Sequence, residues 1–317
     1  MTTTKITVET LHQLGANSAA RSQFKAVFPE GAPDWLSVAH HDDLPGWHGW
    51  IAAHAPSLTL TERLELLAKS KDMKYWRRQM AVYAANLTLE ERLVLAAKSD
   101  KPRTARNQIC SEVPNLTFEE RQALIARSGD PPFYSGAVAA NAPGLTFQQC
   151  QELLAASDRP PFWRGPAAVN AKGFSLEERL ELIDQSSNPR HWKGALAVLA
   201  PDLTLEQRET LIAASDAPQY NYGAAAVCAP GLTLEQRETL VAASDDPQYN
   251  YGAAAVCAPD LTFEERETLL AASFQKRYWR GRTAVHASGL TLEQRRKLAA
   301  KSNDPKHWRA EVTRRYA

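Results

Sequence analysis

From Leu58 onward, apolar and polar residues return at the same places in a period of 29. The stretch LTLEQRETLIAASDAPQYNYGAAAVCAPG at 203–231 is followed by LTLEQRETLVAASDDPQYNYGAAAVCAPD at 232–260, and the two differ only at Ile212/Val241, Ala217/Asp246 and Gly231/Asp260. Equivalent starts fall at Leu58, Leu87, Leu116, Leu145, Phe174, Leu203, Leu232, Leu261 and Leu290. Taking each start as position 1, position 2 is Thr in eight repeats and Ser175 in the other, with Glu or Gln three residues later in all nine. That is a capping box, in which hydroxyl and carboxylate or amide satisfy the free N–H groups of a helix start. It opens a first helix, helix A, whose apolar stripe in the Leu203 repeat is Arg208, Leu211, Ile212 and Ser215. The Ser at position 13 is present in every repeat, and an Asp-x-Pro segment after it breaks the helix, because proline lacks a donor and clashes with a continuing turn. A second helix, helix B, follows, as in QYNYGAAAVCA, and ends at Pro or small residues with Gly, Asp or Asn.

Two short helices in a fixed period predict an all-α fold, a right-handed α-solenoid of about ten 29-residue αα repeats in which each repeat packs on its neighbours. Residues 58–317 supply nine repeats, and WHGWIAAHAPS at 47–57 matches the second half of the pattern, so 29–57 is read as a degenerate first repeat. Residues 1–28 lie outside the period and are expected to form a helical cap, with one continuous solenoid after them. The near-verbatim pair records duplication of a whole repeat, which leaves every interface intact.

Helix B carries a stripe of small and β-branched residues, such as Gly223, Ala226 and Val227 or Gly165, Ala168 and Val169, which predicts close helix–helix approach. Its positions 19, 22 and 26 vary instead: Trp76, Gln79, Tyr83; Tyr134, Ala137, Asn141; Trp163, Pro166, Asn170; Asn221, Ala224, Cys228; Trp279, Arg282, His286. A constant scaffold with a varied face is the layout of a binding array. The expected binding residues, on a concave face, are Trp76, Tyr83, Tyr134, Asn141, Trp163, Asn170, Trp192, Asn221, Asn250, Trp279 and His286. Removing Trp163 and Trp192 is then expected to weaken binding with little loss of stability.

Hydrophobic residues make up 44% of the chain and charged residues 23%, an ordinary globular balance. The net charge of +1 hides an acidic segment, 203–273, with eleven Asp/Glu against three Arg, and a basic one, 274–317, with twelve Lys/Arg against three Asp/Glu. Such alternation argues against one continuous track for a polyanion. Cys110, Cys150, Cys228 and Cys257 have neither CxxC nor metal-ligand spacing, which points to a reducing compartment. With no signal-peptide pattern and no membrane-length apolar run, the cytoplasm is the expected location.

AVAANAPGLTFQQCQELLAAS at 137–157 resembles the leucine-rich repeat variant, an α-solenoid relative of HEAT repeats with an AVAANP-type helix followed by a Leu-rich one. That family's repeat is about five residues shorter, and its pairing of an α-helix with a 3₁₀ turn leaves open whether one helix here is partly 3₁₀. LHQLGANSAARSQFKAVFPEGA at 11–32 is similar to an N-terminal segment of uncharacterised bacterial and phage-encoded proteins, which implies such a source.

The Arg at position 6, from Arg63 to Arg295, recurs in every repeat except that of Cys150. Recurrence favours an inter-repeat structural role over an anion-binding ladder. The pairs Trp76-Arg77, Trp163-Arg164, Trp192-Lys193, Trp279-Arg280 and Trp308-Arg309 read either as seam packing with a solvated cation or as a stacking surface for bases. HHDD at 40–43 and GWHGW at 46–50 read as a capped turn rather than a metal site. No phosphate loop, nucleophile elbow or H-E-x-x-H occurs. The expected function is a monomeric, non-enzymatic scaffold without a cofactor that binds a protein or peptide, off the membrane. The alternative is a HEAT-like nucleic-acid binder of DNA-repair type.

Overall fold

A computed structural model describes residues 5–41, 44 and 46–316. Among these residues the regular structure is 22 helices and no strand, with one isolated bridge between Ile6 and Ala32. The helices fall into two compact units, Met1–Trp163 with Ala171–Gly173, and Arg164–Asn170 with Phe174–Ala317. Within each unit, successive helix pairs pack on the pair before and the pair after, the arrangement of an α-solenoid. The first unit opens with the short helices Val8–Gln13 and Ser18–Val27, where Phe24 is buried against Phe28 and Trp47. Asp42 and Asp43, part of the histidine–aspartate turn, lie outside the described residues.

The repeat folds as its local chemistry dictates. In the Leu203 repeat, Gln207 N–H donates to Thr204 Oγ1 at 3.2 Å and Thr204 N–H donates to Gln207 Oε1 at 2.9 Å, which starts helix A at Leu205–Ala213. The same reciprocal box opens helix A in all nine repeats. Ser215 Oγ donates back to the Ile212 carbonyl at 2.7 Å and closes the helix end. Pro218 then takes the first position of helix B (Pro218–Cys228), where no N–H is needed. In six repeats the chain turns after helix B through a left-handed residue at position 29: Asn86, Gly144, Gly173, Gly231, Asp260 and Gly289. Both helices of each repeat are α-helical, so the α/3₁₀ pairing of the leucine-rich repeat variant is not reproduced.

The core is built from positions 9 and 10 of helix A, such as Leu211 and Ile212, against positions 23 and 24 of helix B, such as Ala225 and Ala226. Alanines on helix B let neighbouring backbones approach, and the helix A leucines supply the apolar area, each worth about 1.5–3 kcal/mol when fully buried.

The position-6 arginines are buried in every repeat that has one. Arg63 Nη1 and Nη2 donate to the carbonyls of Ala52 and Ala55 at 2.5 Å, and its Nε donates to Leu58 O at 3.0 Å. Arg266 donates to Ala255 O at 2.7 Å, Ala258 O at 3.1 Å and Ser288 O at 3.3 Å. Each guanidinium thus satisfies the free carbonyls at the end of the preceding helix B, where the helix dipole also favours a cation. Burial pushes the guanidinium pKa down at Arg63, Arg92, Arg121, Arg208, Arg237, Arg266 and Arg295, that of Arg63 to about 10, which leaves it charged at neutral pH. Cys150 occupies the same place in its repeat and points its Sγ at the Ala139 carbonyl at 3.6 Å.

Candidate functional site

Position 19 does not face outward. The structure sets it in the seam between consecutive helices B, against position 21 of the preceding repeat. A Cβ on Gly136 would fall 2.1 Å from the Trp163 ring, one on Gly165 2.1 Å from Trp192, and one on Gly252 2.4 Å from Trp279. Gly49 meets Trp76 in the same way, and Gly281 meets Trp308. Gly194 and Gly223 accommodate Asn221 and Asn250, whose Nδ2 atoms donate to Ser215 Oγ and Ser244 Oγ, each at 2.9 Å. Where Arg78 replaces glycine at position 21, the next repeat carries the small Ala105 at position 19, whereas Asn107 is followed by Tyr134.

This corrects the expectation of an outward face. Trp279 and Asn221 are buried, and Trp76, Trp163, Trp192 and Asn250 are half-buried in the seam. Tyr134 is half-buried edge-on to Phe133. Loss of Trp163 and Trp192 therefore removes packing, and a stability cost is expected where none was foreseen. The remaining expected residues, Tyr83, Asn141, Asn170 and His286, are exposed at position 26. There His54 stacks between Trp50 and Tyr83 at 5.0 and 5.4 Å, and the Tyr83 hydroxyl donates to Glu112 Oε2 at 2.9 Å. Burial, and then Arg63, hold the His54 pKa below its ordinary value, whereas burial and the Glu112 bond raise that of Tyr83.

The cations beside the tryptophans turn to helix A. Lys193 pairs with Asp184 at 3.0 Å, Arg280 with Glu267 at 3.4 Å, and Arg164 donates to the Gln185 carbonyl at 3.3 Å. Aromatic face and cation are thus separated, which removes the geometry of a base-stacking pair at these three places.

The row left open is position 18. It is aromatic or His in eight of nine repeats: Tyr75, Phe133 and Phe162 in the first compact unit, and His191, Tyr220, Tyr249, Tyr278 and His307 in the second. Tyr220 is 66% exposed, Tyr249 54% and Phe162 49%. Phe133 and Tyr249 rest edge-on against Trp163 and Trp279 at 5.3 and 5.2 Å, so the seam holds these rings from one side while the other is wet. Only Thr104 interrupts the row. The signal was present in the sequence as a near-constant aromatic next to the first turn of helix B, and a search confined to varying positions passes over it.

Among the described residues no group of three or more His, Cys, Asp or Glu side chains is placed to hold a metal, and no helix is long and apolar enough to cross a membrane. Compared with protein-family models, curated protein sequences and solved structures, the chain has no match.

Proposed function

We propose that the chain is a non-enzymatic scaffold that holds another protein or peptide on the exposed aromatic side chains at position 18 within each compact unit. The observation that carries the reading is the recurrence itself, with Tyr220 and Tyr249 in the second unit and Phe162 in the first each about half or more exposed. Aromatic side chains bury large area for little rotamer entropy and dominate binding hot spots, and a run of exposed ones without a partner is an aggregation hazard. Kinship with the leucine-rich repeat variant or HEAT repeats belongs to the same proposal, supported by the paired helices and their period. A monomeric, cytoplasmic protein of bacterial or phage source completes it, and four free cysteines fit a reducing compartment.

The test is capture of partners from the native host by the wild type and by a Tyr75→Ala, Phe162→Ala, Tyr220→Ala variant. Binding should weaken by more than about 2 kcal/mol, the hot-spot scale, with helicity unchanged. An unchanged set of partners at unchanged affinity would sink the reading. The nucleic-acid alternative predicts a steep fall of affinity with salt, because phosphate contacts release counterions. Absence of any DNA or RNA shift at low salt removes it.

A further inference from the structure

The Leu261 repeat, in the second compact unit, departs from its neighbours where helix A gives way to helix B. The two preceding repeats read Ser-Asp-x-Pro there, and this one reads Ser273-Phe274-Gln275-Lys276. Gln275 adopts a left-handed φ of 52°, and Phe274, at a position that is polar or glycine in every other repeat, is 60% exposed. The Phe274 N–H donates to the Gln248 carbonyl at 3.1 Å and ties the altered loop to the start of the preceding helix B.

These changes border a cleft of about 570 Å³ walled by Tyr249, Phe274, Tyr278 and Trp279, with Arg282 and Asp246 also lining it. Arg282 is new to the array at this place, since the same position is Ala224 and Ala253 in the two repeats before it. Its Nε is shielded from solvent with no hydrogen-bond partner, and among the described residues the guanidinium joins no ion pair. The neighbouring Arg280 is already held by Glu267. Asp246 is committed to capping helix B, accepting from the Tyr249 N–H at 3.0 Å.

We propose that this cleft binds a carboxylate carried next to an aromatic ring, as at a peptide segment ending in, or followed by an acid after, an aromatic residue. Arg282 takes the carboxylate, and Tyr249, Phe274 and Tyr278 take the ring. The unpaired Arg282 guanidinium offers a partner for one carboxylate, and Asp246, which also lines the cleft, leaves no surplus positive charge for a second. Asp246 disfavours a dianionic phosphate, and Arg282 disfavours an organic cation in the aromatic cage. The site rests on the scaffold reading and adds a ligand class to it.

The probes are N-acetyl-phenylalanine, its carboxamide, and phenethyltrimethylammonium, each followed by the Trp279 indole N–H shift in the full chain. The acid should bind in about the millimolar range, as a ligand of this size does, with the amide at least about fivefold weaker. Arg282→Gln should abolish the difference without lowering the melting temperature, and Arg282→Lys should restore part of it. Equal binding of acid and amide, preference for the ammonium, or an unchanged difference in Arg282→Gln would overturn the proposal. The residues removed in the capture experiment lie outside this cleft, so failure here with capture still dependent on Tyr75, Phe162 and Tyr220 overturns this site and leaves the scaffold.

Discussion

Replacing Gly165 by Ala should change sign with its partner. An alanine in a helix interior is normally about 0.8–1 kcal/mol better than glycine. At Gly165 the new Cβ would stand 2.1 Å from Trp192 Cε2 and 2.2 Å from its Nε1. Non-bonded carbons need about 3.5–4.0 Å, so the indole must shift by more than about 1 Å. Overpacking of this kind costs about 1–3 kcal/mol, which outweighs the propensity gain and leaves the variant about 1 kcal/mol less stable. Once Trp192→Ala has emptied the seam, the same Gly165→Ala methyl meets no ring and should stabilise. The coupling energy from the four urea midpoints, read by far-ultraviolet circular dichroism, should then reach about 2 kcal/mol. Should Gly165→Ala stabilise both backgrounds equally, the seam is not where the tryptophan packs.

Arg208→Met strands the Ala197 and Ala200 carbonyls that the guanidinium now serves, so urea denaturation should show a loss of about 2–4 kcal/mol, and Arg208→Lys should recover only part of it. Cys110 and Cys150 are buried, their thiols pushed up to about 11 and about 12, whereas Cys228 and Cys257 are exposed. Ellman's reagent should therefore find two thiols in the native protein and four after denaturation. His54 has a pKa lowered from 6.5 by burial and then by Arg63, so the folded state binds fewer protons than the unfolded one. Its contribution is complete above pH 6.5 and is lost as the pH falls from there through the folded-state pKa. The urea midpoint should drop on acidification, and His54→Phe, which keeps a ring in the stack, should reduce that drop.

Much of the fold was legible because its causes are local and recur. Thr204 with Gln207, Ser215 and Pro218 mark both ends of helix A and the start of helix B within fifteen residues, and nothing distant overrides them. The role of Arg208 was also readable, since a cation repeated on an apolar stripe needs a repeated partner, and backbone carbonyls are the partners every repeat offers. The seam was harder. Trp192 at position 19 answers Gly165 at position 21 of the previous repeat, 27 residues upstream, so variation at position 19 reflects its neighbour and not a ligand. The pairing of Arg78 with Ala105 carried the same information. Tyr220 and Tyr249 escape a reading of varied positions for the opposite reason: they scarcely vary.

Nitration by tetranitromethane tests the central assignment, because two nearly identical repeats contain their own control. Each carries Tyr-Asn-Tyr, with the first ring at position 18 and the second two residues on. Tyr220 and Tyr249 are 66% and 54% exposed, whereas Tyr222 and Tyr251 are half-buried. Peptide mapping of the native protein should find Tyr220 and Tyr249 modified well before Tyr222 and Tyr251, with the order lost on unfolding. Equal or reversed modification in the native state would contradict the exposed row at position 18.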